Sequence, residues 1–314
     1  MTKVLNITHA GCLDGACSTW LVRKAFPDCT ILSVGAGRPL PPLPEIEGGW
    51  DLILVTDISF ELEDMDRLDA TGAEVELLDH HKSAFDRLGD TKWAAYLSKT
   101  MSGSLVTYNW LCDYVKDDWD EATQEIVAYH SDIDLWQFKL PRARDFLHYN
   151  YAKVRISNIE ESLADLDALH AKWSANPVAV LDLGEVMRER AERQIARAAD
   201  RVVWSDFMGY RNVPVVNCEA DLSSEVGNYL ARQAKEKNAG NDFAADFAVC
   251  WMVDTNDHFE AEIKVSFRSV TGSGNCLDLA TQYGGGGHIK ACGCRFKPSV
   301  WFKMLRDETG EEWT

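Results

Sequence analysis

Short apolar runs, separated by polar loops and amphipathic segments, make up the first half of the chain. The run within Asp51–Asp57 is continuously apolar, as in a strand that is buried on both faces of a parallel sheet. Apolar residues at helical spacing follow it at Leu62, Met65 and Leu68. Further runs predict strands at Lys3–Thr8, Thr30–Val34 and Val75–Leu78. Strands that alternate with helices predict an α/β domain around a parallel sheet.

Carboxylate and imidazole side chains, with one thiol, stand at the ends of three of these strands. They are His9, Cys12 and Asp14 after the first strand, Asp57 after the third, and Asp79, His80 and His81 after the fourth. An α/β sheet presents its ligand crevice at the carboxyl ends of its strands, so we expect these side chains at one site. A position near a helix N-terminus could explain Asp14 or Asp57 singly, but not the histidines as well. Oxygen and imidazole donors together favour a Mn²⁺-like divalent ion over Ca²⁺.

Two helices are predicted next, one from Ser102 to Cys112 and one over about Glu121 to His130. The second leads into Asp132 and Asp134, and the helix dipole disfavours carboxylates at a helix C-terminus. A compensating cation is one explanation for this pair. Two solvated loop carboxylates explain the segment equally well.

The stretch from Ile159 to Trp204 is almost wholly helical in pattern, with a break at Pro177. Four arginines share one face of its second half: Arg190, Arg193, Arg197 and Arg201. Interleaved Glu189 and Glu192 favour a salt-bridged connector over a basic substrate groove. We therefore expect a first domain at 1–158, a helical connector at 159–204 and a second domain at 205–314.

The remainder predicts a second, smaller α/β domain. Its expected elements are strands at 213–217, 247–253, 260–269 and 292–296 and helices at 223–237 and 276–283. The run Gly284–Gly287, followed by His288, has a large conformational entropy cost. We expect it to allow close approach of the main chain to a ligand, because free N–H groups there suit phosphate oxygens. The strand pattern that resumes at Cys292 argues against a flexible linker.

Composition and charge narrow the function. The chain of 314 residues is 46% hydrophobic, which suits two globular domains. Its formal net charge of -18 would repel a long polyanion, so an anionic substrate needs a local cationic site such as bound divalent metal. Nine cysteines without a repeating spacing, and an N-terminus without an export-signal pattern, predict reduced thiols in a cytoplasm. No apolar run approaches the length of a membrane helix.

Together these segments resemble the DHH phosphoesterase superfamily, in the branch that carries a C-terminal DHHA1 domain. Asp79-His80-His81 matches the motif that gives the superfamily its name, and Gly285–His288 with Ala291 and Gly293 matches the second domain's signature. The resemblance covers nearly the whole chain. It implies an α/β fold in which a helical connector joins an N-terminal parallel-sheet DHH domain to a smaller C-terminal α/β DHHA1 domain.

The resemblance also implies roles for individual residues. The metal ligands would be His9, Asp14, Asp57, His80 and Asp132, and Cys12 is a further candidate ligand at a position where the family usually has a carboxylate. Asp57 would bridge two ions, usually Mn²⁺, with Mg²⁺ or Co²⁺ as alternatives. The catalytic residues would be Asp57, Asp79 and His81, the last beside the scissile phosphate. The substrate phosphate would be held by Arg268, Gly285, Gly286, Gly287 and His288.

One position departs from the family pattern. The first motif usually has a His followed by two Asp residues separated by one, and here Cys12 stands two positions before Asp14. A thiolate that replaces the carboxylate ligand and a small thiol that only packs are both open at this stage.

The predicted activity is two-metal, Mn²⁺-dependent hydrolysis of short phosphodiesters, with oligonucleotides cut to mononucleotides as by an exonuclease. A phosphomonoesterase on a 3′,5′-bisphosphonucleotide or polyphosphate-type substrate is the second enzymatic candidate. A weakly active nucleotide- or phosphate-binding protein is the candidate from another class. Short nucleic acid is the expected partner, long duplexes and membranes are not, and a homodimer stays open.

Overall fold

The computed structural model describes residues 2–35, 37–44, 49–116, 119–239, 245–255, 260–270 and 275–309. It divides the chain into two compact units, Met1–Glu189 and Arg190–Thr314. The boundary between the units falls inside the predicted connector at 159–204. The division into two domains and a connector stays a prediction.

The first unit is built on a sheet of four parallel strands. They are β1 (Val4–His9), β2 (Thr30–Val34), β3 (Leu52–Thr56) and β4 (Glu74–Leu78), in the order β2-β1-β3-β4. All four are strands that the apolar runs predict. Successive side chains of β3 point to opposite faces, so Leu52 and Leu54 enter one core while Ile53 and Val55 enter the other. Burial on both faces explains why this strand is apolar throughout.

Six helices surround this sheet. They are α1 (Leu13–Ala25), α2 (Leu62–Asp69), α3 (Lys82–Leu88), α4 (Gly103–Val115), α5 (Glu121–Asp134) and α6 (Ala143–Lys153). The side chain of Ser102 accepts a hydrogen bond from Leu105 N at 3.3 Å and caps α4. Helix α5 extends to Asp134, so Asp132 and Asp134 lie in its last turn.

Two long helices follow, α7 (Ile159–Ala175) and α8 (Pro177–Ala199). They confirm the predicted helical stretch as far as Ala199 and its break at Pro177, whereas Val203 and Trp204 at its end are part of a strand. Helix α7 buries one stripe of side chains in the core of the first unit: Leu163, Leu166, Leu169 and Trp173. Within the part of the chain that the structure covers, no helix is long and apolar enough to cross a membrane.

The second unit contains a mixed sheet of six strands. They are β5 (Val203–Phe207), β6 (Tyr210–Asn217), β7 (Phe247–Thr255), β8 (Ala261–Ser269), β9 (Gly286–His288) and β10 (Ala291–Phe296), in the order β5-β6-β7-β8-β10-β9. Three helices accompany it: α9 (Ser223–Lys237), α10 (Asn275–Gln282) and α11 (Pro298–Thr309). The predicted pairing of the two strands before the glycine run is confirmed, since β7 and β8 are antiparallel neighbours.

Each face of this sheet has its own apolar layer. On one face, Val265 and Phe267 of β8 pack with Leu279 of α10 and Trp301 of α11. The opposite face is covered in part by α9 through a second buried cluster of residues, among them Val226, Leu230, Ala248 and Cys250. The predicted class, a parallel-sheet α/β domain followed by a second α/β domain, is confirmed.

Candidate metal centre

The strand order of the first sheet brings the candidate residues to one edge. The chain leaves β1 towards β2 and then crosses back over β1 to form β3. The carboxyl ends of β1 and β3 therefore flank the point where the strand order reverses, which is where open α/β sheets bind ligands. His9 is the last residue of β1 and Asp57 directly follows β3.

Asp57 occupies the middle of this edge. Its side chain is 1% exposed, and its backbone adopts a left-handed conformation with φ 56°, which is uncommon for a residue other than glycine. A hydrogen bond of 2.9 Å from its N–H to Leu78 O holds this turn against the end of β4. Neither carboxylate oxygen has a hydrogen-bond partner among the described residues. A buried carboxylate in that condition calls for a cation.

Potential ligands approach Asp57 from two sides. On one side the donor atoms of His9, Cys12 and Asp57 lie within 4.8 Å of one another, and on the other those of Asp14, His80 and Asp134 do so. His9 Nδ1 is 3.5 Å from Asp57 Oδ2, and His80 Nε2 is 3.2 Å from Asp57 Oδ1. Each oxygen of Asp57 therefore faces a different imidazole. This arrangement fits a carboxylate that bridges two divalent ions.

Cys12 lies with the potential ligands and not in an apolar core. The residue precedes α1 and is half-buried, with its sulfur grouped with His9 and Asp57. Burial and the neighbouring carboxylates, Asp57 first among them, raise the pKa of this thiol well above its ordinary value. A thiolate at this point would need a cation beside it.

Asp134, and not the predicted Asp132, lies among the potential ligands. Asp134 Oδ2 lies 3.5 Å from His80 Nε2. The carboxylate of Asp132 instead accepts hydrogen bonds from the backbone N–H groups of Lys139 at 2.9 Å and Leu140 at 3.0 Å. Asp132 thus holds the loop after α5, and it is not part of any cluster of potential metal ligands within the described residues. We replace it by Asp134 in the proposed set.

Asp79 and His81 form a pair beside the ligands. His81 Nδ1 lies 2.7 Å from Asp79 Oδ1, and the same oxygen accepts hydrogen bonds from His80 N at 2.7 Å and His81 N at 3.3 Å. Asp79 is fully buried, so it fixes the start of the turn as well as the orientation of the ring. The fixed Nδ1 means that any proton transfer by His81 would run through Nε2.

The charges of the cluster are balanced by its histidines. Burial lowers the pKa of His80, but Asp57, Asp134 and Asp14 outweigh it and raise the value to about 10. For His81 the carboxylate of Asp79 outweighs burial in the same way and raises the pKa to about 9. A ligand imidazole must be neutral, so binding of a divalent cation at His80 would release its proton and take over its role in balancing the carboxylates.

The two central carboxylates respond in opposite directions. Burial raises the pKa of Asp14 well above its usual range, and the nearby charges of Asp134 and Asp57 add to the effect. Burial acts the same way on Asp57, but the imidazoles of His80, His9 and His81 outweigh it and hold its pKa well below its ordinary value. Asp57 is therefore the carboxylate that is ionised most readily. Three aspartates, two imidazoles and one thiol form a donor set that fits divalent transition metals.

The start of α4 supports this centre, which the sequence patterns do not reveal. Ser104 N donates to Asp14 Oδ2 at 3.2 Å, and the Ser104 hydroxyl donates to Asp14 Oδ1. Gly103 lies against Asp57 so closely that an added Cβ would stand 2.7 Å from its Cβ and from Oδ1. From the sequence, Ser102 is recognisable as a helix cap, whereas the contacts of the next two residues depend on tertiary packing.

The predicted phosphate-binding residues of the second unit share one face of its sheet. In the strand register His288 of β9 is opposite Ala291 of β10, which is opposite Arg268 of β8. Residues directly opposite in neighbouring strands point to the same side, so Arg268 and His288 lie on that side two strands apart. Arg268 is anchored by hydrogen bonds of 2.9 Å from Nη1 to Phe267 O and from Nη2 to Ser224 Oγ.

The glycine run is partly a strand. Added Cβ atoms would stand 2.0 Å from Gly293 O at Gly285 and 2.7 Å from Ala291 O at Gly287, so both glycines let the chain pack against β10. At Gly286 an added Cβ would meet nothing within 4 Å. The close approach expected for this run is thus made to β10 at two of the three positions. Gly286 is the one whose missing side chain leaves open space.

Comparisons with known proteins agree with these observations. No protein-family model matches the chain. Over 267 residues it is 24% identical to oligoribonuclease NrnB of Bacillus subtilis (strain 168). The aligned region covers 80% of this chain and 61% of that protein. The chain therefore spans less than two thirds of the length of this curated relative.

Solved structures extend the comparison to the fold. A DHH domain, described as a member of a family of ribosomal proteins, covers 97% of this chain and 85% of its own, with 14% identity and a TM-score of 0.53. RecJ from Thermus thermophilus in complex with Mg²⁺ covers 95% of this chain and 47% of its own, with 13% identity and a TM-score of 0.45. The likeness to the DHH domain confirms the predicted fold.

Proposed function

We propose that the chain, which resembles the DHH phosphoesterase superfamily in its motifs and fold, hydrolyses phosphodiester bonds of short oligonucleotides with the help of two divalent ions, Mn²⁺ in preference. The observation that carries the proposal is Asp57. It is a buried carboxylate whose two oxygens lack hydrogen-bond partners among the described residues and each face a different imidazole.

The proposed ligands fall into two sets that share Asp57. One set contains His9 and Cys12, and the other contains Asp14, His80 and Asp134. Two bound divalent ions would supply an activated water and neutralise the charge that develops on the phosphoryl oxygens. The protein's part is to hold these donors in place, which it does with the ends of β1, β3 and β4, the start of α1 and the last turn of α5.

His81 and Asp79 would act on the reacting groups. With Nδ1 held at 2.7 Å by Asp79, His81 can give a proton to the leaving oxygen through Nε2. The raised pKa of His81, about 9, favours the protonated ring as the starting form. Asp79 is a positioning residue in this scheme, since it orients the imidazole and stabilises its charge.

The second unit would bind the substrate through a phosphate. Arg268 retains guanidinium N–H groups beyond those used by Phe267 O and Ser224 Oγ, and Arg is suited to planar, multidentate recognition of phosphate. His288 lies on the same face of the sheet, next to Gly286. Together they would fix the position of one phosphate.

Two further facts favour a short substrate. The net charge of -18 opposes the approach of long nucleic acid, for which a basic surface is the usual requirement. The curated relative of Bacillus subtilis is named an oligoribonuclease. Loss of Arg268 or His288 should then raise KM or lower kcat without releasing metal.

The test is a hydrolysis ladder. Single-stranded RNA and DNA from dinucleotides upward, a 3′,5′-bisphosphonucleotide and polyphosphate are incubated with Mn²⁺-loaded protein, and products are quantified. We expect mononucleotides from the short oligonucleotides and declining rates as length grows. Equal rates along the ladder would contradict the preference for short strands, and release of inorganic phosphate alone would favour the monoesterase. Ligand-induced stabilisation without any product would identify a binding protein.

A further inference from the structure

A second row of basic residues lies on the face of the β8–β10–β9 sheet that carries Arg268. Alternate residues of β8 share a face, so Lys264 and Ser266 point to the same side as Arg268. Across the strand pair, Lys264 is opposite Arg295 of β10. This side of the sheet thus presents one basic row at Arg268 and another at Lys264, with the row of Ser266 between them.

The two basic residues of the second row differ in their partners. Arg295 Nη1 lies 3.0 Å from Asp254 Oδ2 and 3.3 Å from Glu262 Oε2, so its charge is compensated within the unit. Lys264 is exposed and has no carboxylate within ion-pair distance among the described residues. In a chain with a net charge of -18, a lysine without a counter-ion in a basic environment is a distinctive feature.

The pKa of Lys264 is consistent with an ammonium charge that no neighbouring carboxylate neutralises. Partial burial of the ammonium lowers its pKa, and the positive charges of Arg295 and Arg268 lower it further against the opposing effect of Asp254. A bound anion would relieve this repulsion. The cation and its surroundings are therefore arranged to favour an anionic group from outside the unit.

The row between the two basic rows carries no bulky side chain of its own. The intermediate row consists of Ser266, Gly293 and Gly286, which are register partners across β8, β10 and β9. A Cβ at Gly286 would meet nothing within 4 Å. A ligand chain can therefore lie across this row on the main chain itself, between Arg268 and Lys264.

A single phosphate cannot contact both Lys264 and Arg268. Lys264 and Arg268 are four residues apart on one strand, a Cα separation of roughly 13 Å. Arg268 is tied by hydrogen bonds to Ser224 Oγ and Phe267 O, so its guanidinium does not lean towards Lys264. Both cations act on one ligand only if that ligand carries a second anionic group.

We propose that Lys264 forms a second phosphate subsite, so that the second unit binds two phosphates of the same single-stranded oligonucleotide across the row of Ser266, Gly293 and Gly286. This inference rests on the proposed function, because it takes the first phosphate to be the one at Arg268 and His288. The second subsite would also explain why affinity depends on the length of the oligonucleotide. Lys264 would add no affinity for ligands with one phosphate, but it would add affinity for ligands with two or more.

The experiment measures binding by the full chain in EDTA, where hydrolysis is blocked, with fluorescence anisotropy competition as the readout. The probes are 5′-phosphorylated adenylates that carry one, two and three phosphates. The variants are Lys264→Gln, Lys264→Arg and, as a matched control, Lys235→Gln, which removes the same charge from an exposed position on α9. Salt is varied for each pair.

The wild-type protein and the Lys235→Gln variant should gain affinity when a second or third phosphate is present. In Lys264→Gln this gain should fall by roughly tenfold and the slope of log affinity against log salt by about 0.7, while affinity for the one-phosphate ligand stays unchanged. Lys264→Arg should restore most of the gain, because a cation is retained.

The proposal is overturned if Lys264→Gln keeps the full gain, loses affinity equally for all three ligands, or matches Lys235→Gln. Failure of the wild-type protein to bind any of the adenylates overturns it as well. The proposed function is judged separately by dinucleotide hydrolysis with Mn²⁺. Cleavage without a Lys264 effect rejects the subsite alone, and a Lys264 effect without cleavage rejects the hydrolase alone.

Discussion

Ser104 binds both oxygens of Asp14, with its backbone N–H at 3.2 Å from Oδ2 and its hydroxyl donating to Oδ1. Both residues are almost fully buried, so the contact fixes the direction of the Asp14 carboxylate. The Ser102 hydroxyl lies 3.0 Å from that of Ser104 and extends the network. The first turn of α4 is thereby coupled to a proposed metal ligand on α1.

We expect Ser104→Ala to weaken divalent metal binding by about ten- to a hundredfold, as is common when a partner of a metal ligand is removed. The measurement is calorimetric titration of chelator-stripped protein with Mn²⁺. Thr107→Ala is the matched control. It also removes a buried hydroxyl from α4, but one that bonds only to Gly103 O at 2.8 Å. Equal metal affinities in the two variants would show that Ser104 has a purely structural role.

The two aspartates at the end of α5 should separate metal binding from stability. Asp134→Asn is expected to reduce the number of tightly bound ions, because Asp134 lies with Asp14 and His80. Asp132→Asn should leave the ion count intact and lower the free energy of unfolding by about 1–3 kcal/mol, because its carboxylate accepts hydrogen bonds from two partly buried backbone N–H groups. Elemental analysis and urea unfolding of both variants give the answer. The reverse pattern would restore Asp132 as the ligand.

Cys12 offers a test of the thiolate hypothesis. If its sulfur is a ligand, Cys12→Ser should weaken one of two Mn²⁺ sites, and Cys12→Asp should restore or strengthen it, since a carboxylate is the harder donor. Site-resolved titration and the rate of dinucleotide cleavage are the readouts. Wild-type behaviour in both variants would mean that the thiol only fills space beside Asp57.

A pH-dependent contribution to stability is expected from Asp145. Burial would raise its pKa, but Arg188 Nε and Arg142 Nε, each at 2.7 Å, outweigh burial and hold the pKa below its ordinary value. A depressed carboxylate pKa gives stability that is complete above the unfolded-state value of about 4 and is lost as pH falls through the folded-state pKa.

Asp145→Asn should therefore lower the free energy of unfolding at neutral pH by about 1.5–3 kcal/mol, with the difference from wild type shrinking below about pH 4. Asp182→Asn is a suitable control because it breaks an exposed ion pair to the same Arg142, for which less than about 1 kcal/mol is expected. A constant difference across the acid range would contradict the assignment.

The sequence predicts the centre of the first sheet well because burial on both faces leaves an unambiguous mark. The run before Asp57 is apolar up to Thr56, and its carboxyl end places Asp57 at the same sheet edge as His80 and His81, which follow the neighbouring β4. A residue directly after a strand has few possible positions, so its place in the sequence largely determines where its side chain lies at the sheet edge.

Helix ends are less predictable from spacing. Asp132 and Asp134 are two residues apart, which places them roughly 200° apart around α5, so only one can face the centre. The pattern of the segment does not say which, because this depends on the loop that Asp132 holds. The contacts of Ser104 and Gly103 are hidden for a similar reason, since they arise when α4 packs against strand ends distant in sequence.

The glycine run illustrates a further limit. Four glycines indicate a close approach of the main chain, but the partner of that approach is not encoded locally. At Gly285 and Gly287 the partner is β10, whereas added Cβ atoms at Gly284 and Gly286 would meet nothing within 4 Å. No sequence motif identifies Lys264, and its place in a basic row follows only from the register of β8 with β10.

The most direct measurement of the central claim is dinucleotide cleavage by chelator-stripped protein as Mn²⁺ is added back, with bound metal counted in the same samples. Wild-type protein should release no mononucleotide in EDTA, and its rate should reach a plateau when two ions are bound per chain. Asp57→Asn, whose carboxylate is proposed to bridge both ions, should bind neither tightly and should stay inactive with its fold intact by circular dichroism. Cleavage that persists in EDTA, or no cleavage with two ions bound, would contradict the account.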